Sequence, residues 1–213
     1  AMEYMHSSGL QEQSVVPYSG QDQQCARAAS TSLLELGQVN GHSVQLSSYR
    51  TLPSNKAVPL MRSLIHGPVA VSVGASNWML YEKGIFNSCP QDVVINHAVA
   101  LIGYGVERGV KYWTVQNSWG PDWGEGGHMR IFRHKNPHQD ENFCGTDSFP
   151  GEGIACKPYP DSVRVCGMCG LLYDSVEASF RKTQPKATAT ALAAGQRRSR
   201  KRSQKSQRPG LRK

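Results

Sequence analysis

Two runs rich in β-branched and aromatic residues, INHAVALIGYG and KYWTVQNSWG, stand on either side of a short segment bounded by glycines. Strand-forming runs this close together have one economical arrangement, an antiparallel hairpin. Gly105 and Gly109 bracket Val106, Glu107 and Arg108, so a symmetric turn centres on residue 107. That register sets Val99 opposite Val115, Leu101 opposite Trp113, and His97 opposite Asn117. Residues directly opposite on one face have Cβ atoms roughly 4.5–5.5 Å apart, and a slip of one residue would send the two to different faces.

An imidazole beside a carboxamide is either a satisfied polar pair or a catalytic base with the group that orients it. A neutral imidazole can take the proton of a thiol or hydroxyl, and an Asn oxygen at the second ring nitrogen would hold the resulting imidazolium in place. Asn suits a cysteine nucleophile. The resting state is then a thiolate–imidazolium pair, and a neutral amide does not compete with the thiolate for the positive charge.

The residues around the pair decide between these readings. NHAVALIGYG followed by VQNSWGPDWGEGGHMRI resembles the papain family of cysteine peptidases, with His128 where the family has another aromatic residue. The Cys-His-Asn arrangement of that family is a known example of triad chemistry. AMEYMHSSGL, VVPYSGQDQQC, HGPVAVSVGA, WMLYEKGIFNSC and NFCG fall in the family's order, so the resemblance spans about residues 1–149. It implies His97 as base, Asn117 as its orienter and Trp119 as the cover over their hydrogen bond. It also implies a pocket for the substrate residue next but one to the cut, lined by Ser72, Ile95, Ala98 and Phe149, with Asn96 at a variable position. Ile95 and Ala98 would suit an apolar or aromatic side chain.

The family's cysteine precedes the His and Asn by roughly 130–150 residues, which places it ahead of Ala1. None of Cys25, Cys89, Cys144, Cys156, Cys166 and Cys169 is followed by Trp or Tyr, as the nucleophile of the family is. The chain thus reads as the C-terminal part of a longer enzyme, expected to be inactive alone and poorly stable without the central helix. A papain-like scaffold lacking a nucleophile is the alternative; a Cys-Trp segment upstream would separate the two.

The resemblance pairs Cys89 with Cys144, closing a loop of about 55 residues worth roughly 4 kcal/mol of chain entropy. It leaves Cys25 without its family partner. Beyond residue 149 the pattern fades, and Cys156 is expected to bridge Cys166 or Cys169. A zinc site would need ligands beyond Cys166 and Cys169, with only Cys156 nearby and Pro137 between His134 and His138, so no metal is expected. No cofactor is expected either. Disulfides point to an oxidising compartment: secretory pathway, lysosome or vacuole, or the exterior.

The net charge of +8 misleads as a whole-chain property. Residues 181–213 hold 12 Lys and Arg and no acid, leaving residues 1–180 with 12 basic and 16 acidic side chains, a net of −4. A tail this polar cannot pack and is expected to be disordered. It would attract phosphates without sequence choice, so it argues for no specific nucleic-acid partner. No apolar run approaches the length of a membrane span.

SNKAVPLMRSLIHGP reads as a short helix with Val58, Met61, Leu64 and Ile65 on one face, capped by Ser54 or Asn55 and stopped at Gly67-Pro68. VAVSV and EGGHMRIFRH read as strands. The fold class expected is α+β: part of a helical left domain (1–66), an antiparallel β-barrel right domain (67–149), a Cys-containing extension (150–180) and a basic tail (181–213). The partners expected are peptide or protein substrates and an inhibitory pro-segment, with the enzyme a monomer.

Overall fold

The computed structural model describes residues 2–8, 43–153 and 158–183. Cys25, His42, Cys156 and the basic tail from 184 onward lie outside the described residues. The chain divides into two compact units, Ala1–Leu46 with Phe180–Lys213, and Ser47–Ser179. The first contains the helix α1 (Met2–Ser8), where His6 Nδ1 lies 3.1 Å from the Leu46 carbonyl oxygen. Most of the expected left domain falls outside the described residues.

Beyond α1 the alternation of apolar and polar residues produces strands. These are β1 (Ser43–Thr51), β2 (Val69–Val73), β3 (Ile85–Phe86), β4 (His97–Glu107), β5 (Val110–Gln116) and β6 (His128–Arg133), then β7 (Cys144–Asp147), β8 (Val163–Cys166) and β9 (Asp174–Thr183). Seven of them form one sheet in the order β1-β9-β2-β4-β5-β6-β3, and β7 pairs with β8. The ladders β2–β4, β2–β9, β4–β5 and β5–β6 are antiparallel, while β3 runs parallel to β6. Val69, Val71 and Val73 of β2, Leu101 of β4, Trp113 and Val115 of β5 and Met129 and Ile131 of β6 are all buried, which makes one face of the sheet the core.

The helix expected after residue 54 forms as α2 (Ala57–Ser63), but its buried stripe is Ala57, Leu60 and Ser63. Ile65 is left exposed. Neither Ser54 nor Asn55 caps it. The Ala57 N–H donates to Glu141 Oε1 at 3.0 Å, so an acid from a distant helix satisfies the first turn. Asn55 instead takes a positive φ of 59° and bridges Arg164 O and Cys166 N. Pro137, read from sequence only as a break between two histidines, is the first residue of α3 (Pro137–Asn142). The Asn136 side chain accepts from His138 N at 2.9 Å, and proline costs nothing where the backbone N–H would be unpaired anyway.

The expected disulfides are corrected. Cys89 bonds Cys169, not Cys144, and Cys144 bonds Cys166. Neither Cys166 nor Cys169 is therefore left for Cys156. The reason is topological: Cys144 and Cys166 are cross-strand partners in β7–β8, while β9 returns to pair with β2 and brings Cys169 under the sheet. The segment read as an extension after residue 149 accordingly completes the fold. It supplies β8, β9 and the buried side chains of Met168, Cys169, Leu171 and Leu172. Both boundaries expected at 66/67 and 149/150 fall inside the compact unit Ser47–Ser179.

Candidate functional site

The hairpin exists, but its register differs from the expected one. Its turn is Arg108-Gly109, both with positive φ (48° and 81°), as a two-residue hairpin turn requires. Tyr104, and not Leu101, faces Trp113, and Leu101 faces Val115. Between Leu101 and Gly103 the pairing shifts by one residue, a β-bulge at Ile102. The bulge decides the site. Without it the turn's own register would put His97 and Asn117 on opposite faces. With it, the register carried past Gln116 sets Asn117 opposite Val99, two residues from His97 and on the same face.

The side chains meet on that diagonal: His97 Nε2 lies 2.9 Å from Asn117 Oδ1. The same oxygen accepts from the Ser118 backbone N–H at 2.8 Å. That second donor fixes the amide orientation, because the flipped amide would set N–H against N–H. Oδ1 therefore faces the ring, Nε2 carries the hydrogen, and a neutral His97 presents Nδ1 as the bare acceptor. The Asn117 N–H in turn donates to Gly127 O at 2.9 Å. Gly127 sits at φ 83°, and a Cβ there would lie 3.2 Å from the Gly120 carbonyl oxygen, so the loop needs glycine at this point.

Three indoles surround the pair. The Trp119 ring lies over His97 with centroids 5.2 Å apart and is 39% exposed. The fully buried Trp78 meets the imidazole at right angles, 6.2 Å between centroids. Trp123 packs on Trp119 at 5.1 Å and on Trp78 at 6.5 Å. Trp78 and Trp123 were not singled out from sequence. The loop carrying Trp119 and Trp123 is held by an ion network. Arg130 donates from Nε and Nη2 to Glu125 and from Nη1 to Glu107, and Glu125 also accepts from Gly84 N. Hydrogen bonds from Arg130 hold the Glu125 carboxyl below its ordinary range. Among the described residues, Asn117 Nδ2 and Trp78 Nε1 are buried without a hydrogen-bond partner.

The expected pocket residues are only partly brought together. Ser72 and Ala98 are direct cross-strand partners, on the sheet face opposite the core. Ile95 is only 1% exposed; its side chain lies against Gly170 and its carbonyl oxygen against Gly153. Its N–H donates to the fully buried Asp147 at 3.0 Å. Asn96 is turned to the backbone N–H of Ala75 and to Ser76 Oγ, both at 3.0 Å. Phe149 is 63% exposed, its N–H donating to Asp147 Oδ1.

A family model described as papain family cysteine protease matches residues 1–151. The KDEL-tailed cysteine endopeptidase CEP2 of Arabidopsis thaliana is 35% identical over 160 residues, 72% of this chain and 41% of that protein. Zingipain-2 of Zingiber officinale is 34% identical over 149 residues, 68% of this chain and 61% of that protein. The chain thus spans less than two thirds of the length of either relative. The structure of the bromelain protease from Ananas comosus, solved with the E64 inhibitor, superposes with a TM-score of 0.59 at 27% identity, covering 84% of this chain and 66% of that one. With its His–Asn pair under a tryptophan and its family match over 151 residues, the chain belongs to the papain family of cysteine proteases.

Proposed function

We propose that this chain supplies the base and its orienter to a peptidase that cleaves peptide bonds through a cysteine carried on a segment preceding Ala1. The observation that carries this reading is the His97–Asn117–Ser118 chain of hydrogen bonds, which leaves Nδ1 of His97 as the proton acceptor. A thiol giving its proton to Nδ1 becomes a thiolate beside an imidazolium. The thiolate attacks the scissile carbonyl, and the imidazolium returns its proton to the leaving amine. Asn117 keeps the ring in plane for both steps, and Trp119 shields the hydrogen bond from water.

Among the described residues Cys89, Cys144, Cys166 and Cys169 are all in disulfides, so none of them can be this nucleophile. Two disulfides also favour a secretory, vacuolar or extracellular setting. On this reading residues 1–213 alone do not turn over a peptide, and the parent enzyme acts as a monomer. The test is to read the coding sequence upstream of Ala1. A Gln followed six residues later by Cys-Trp supports the peptidase. A start codon with no such segment, or Ser or Gly in place of the Cys, supports a non-catalytic papain-like scaffold instead.

A further inference from the structure

We infer that Asp147 is a positioning residue for His97: its buried carboxylate, carried on the β7–β8 hairpin, fixes the chain two residues before the candidate base. The inference rests on the proposed peptidase reading and deepens it. His97 stands where the sheet holds least. It forms the last pair of the β2–β4 ladder, with Val73, and the β4–β5 ladder stops three residues short of it at Ala100–Gln116. Strand ends open most readily, so the place of the imidazole depends on what holds the chain leading into β4. Residues 93–96 belong to no strand or helix. The Asn96 N–H donates to Val73 O at 3.1 Å. The Ile95 N–H, one residue earlier, donates to a side chain instead, Asp147 Oδ2, at 3.0 Å.

Asp147 is built to be immobile. It is fully buried, and its other oxygen, Oδ1, accepts from the Phe149 N–H at 2.8 Å. Its backbone is held by the pairing with Val163 at one end of the β7–β8 ladder, and the Cys144–Cys166 disulfide closes the other end. Among the described residues no cation pairs with it. A buried carboxylate is costly unless hydrogen bonds meet its lone pairs, so its oxygens are committed to these two N–H groups. The hairpin grips the same approach to β4 elsewhere too. The Thr146 N–H donates to Asp92 Oδ1 at 2.8 Å, and Gly145 lies so close to the Gln91 backbone that a Cβ there would collide with it. Of these two hydrogen bonds between the segments, that of Asp147 lies nearer the base along the chain.

The test uses the parent protein with its preceding segment and sets Asp147→Asn and Asp147→Ser beside Asp92→Asn. All three remove a carboxylate that joins the same two segments, but Asp92 lies five residues before His97. In both Asp147 variants kcat on a blocked dipeptidyl fluorogenic substrate should fall about tenfold, with KM within about twofold of wild type, because a slightly displaced base spoils the chemical step. Asp92→Asn should keep the wild-type kcat. An unchanged kcat in the Asp147 variants, or an equal fall in Asp92→Asn, would overturn the inference. Asp147→Asn is isosteric, so the comparison stands even where the serine variant does not fold. A second readout needs no turnover: solvent exchange of the His97 Nε2 proton that bonds Asn117, followed by NMR. That proton should exchange about tenfold faster in the Asp147 variants, the mark of a loosened ring, and at the wild-type rate in Asp92→Asn. Wild-type exchange in the Asp147 variants would overturn the role of Asp147 whatever the activity. Absence of turnover by the wild type would sink the peptidase reading instead, and the proton exchange would still decide the role of Asp147.

Discussion

His97 and Asn117 share a 2.9 Å hydrogen bond although they are not cross-strand partners. The ladder from the turn reaches that placement through a one-residue shift in β4, and a backbone N–H, that of Ser118, holds the amide the right way round. In the parent enzyme Asn117→Ala should lower kcat by about 10²-fold through misorientation of the ring, with little change in KM. A fall confined to KM would show that Asn117 serves substrate binding instead.

Deleting Ile102 tests the bulge. It makes Leu101 the neighbour of Gly103, so the ladder runs unbroken with Leu101 still opposite Val115 and Ala100 opposite Gln116, and His97 and Asn117 keep one face. A double-mutant cycle on unfolding stability should give His97 and Asn117 a coupling of about 0.5–1.5 kcal/mol both in the intact chain and after the deletion. Loss of the coupling on deletion would mean that the local shape of the bulge, and not the register, holds the contact.

The disulfides separate two readings of the same cysteines. A non-reduced proteolytic digest should release peptides joined through Cys89–Cys169 and Cys144–Cys166. A Cys89–Cys144 peptide would contradict the fold of residues 158–179. The 80-residue and 22-residue separations correspond to about 4.5 and about 3.4 kcal/mol of chain entropy. Cys169→Ser, which also empties a fully buried position, should therefore lower stability more than Cys144→Ser.

Acid should loosen the tryptophan loop first. Glu125 is held below its ordinary value of 4.5, chiefly by hydrogen bonds from Arg130. Its folded value lies below its unfolded one, so its contribution is complete above about pH 4.5 and is lost as pH falls through the folded value. The buried Asp140 is pushed the other way, up by burial, and its contribution fades as pH rises. Glu125→Gln should cost about 1 kcal/mol at neutral pH and flatten the acid limb of the Tm profile. It should also raise the quenching accessibility of Trp119 and Trp123. An acid limb as steep as in the wild type would assign it to other carboxylates.

Much of the site was legible because its chemistry is written in residue types: a His, an Asn and a Trp in fixed company around a hairpin. The register was not. An Arg-Gly turn carries a weaker signal than Asn-Gly, and a bulge at an isoleucine leaves no mark in an apolar run. The expected pairing still brought His97 to Asn117 because its error around the pair was two residues, an even number that keeps the face. The disulfides failed for a different reason: they depend on β9, whose return to β2 is a long-range pairing with no local signature, so Cys169 was read as part of an extension.

The central claim is that His97 is the base of a working thiol peptidase. Turnover of a blocked dipeptidyl fluorogenic substrate by the parent protein, measured beside its His97→Ala variant, tests it most directly. The account predicts robust wild-type turnover, abolished by thiol alkylation and reduced at least about 10²–10⁴-fold in His97→Ala. Turnover that survives the loss of His97, or a wild-type protein that alkylating reagents leave fully active, would contradict it.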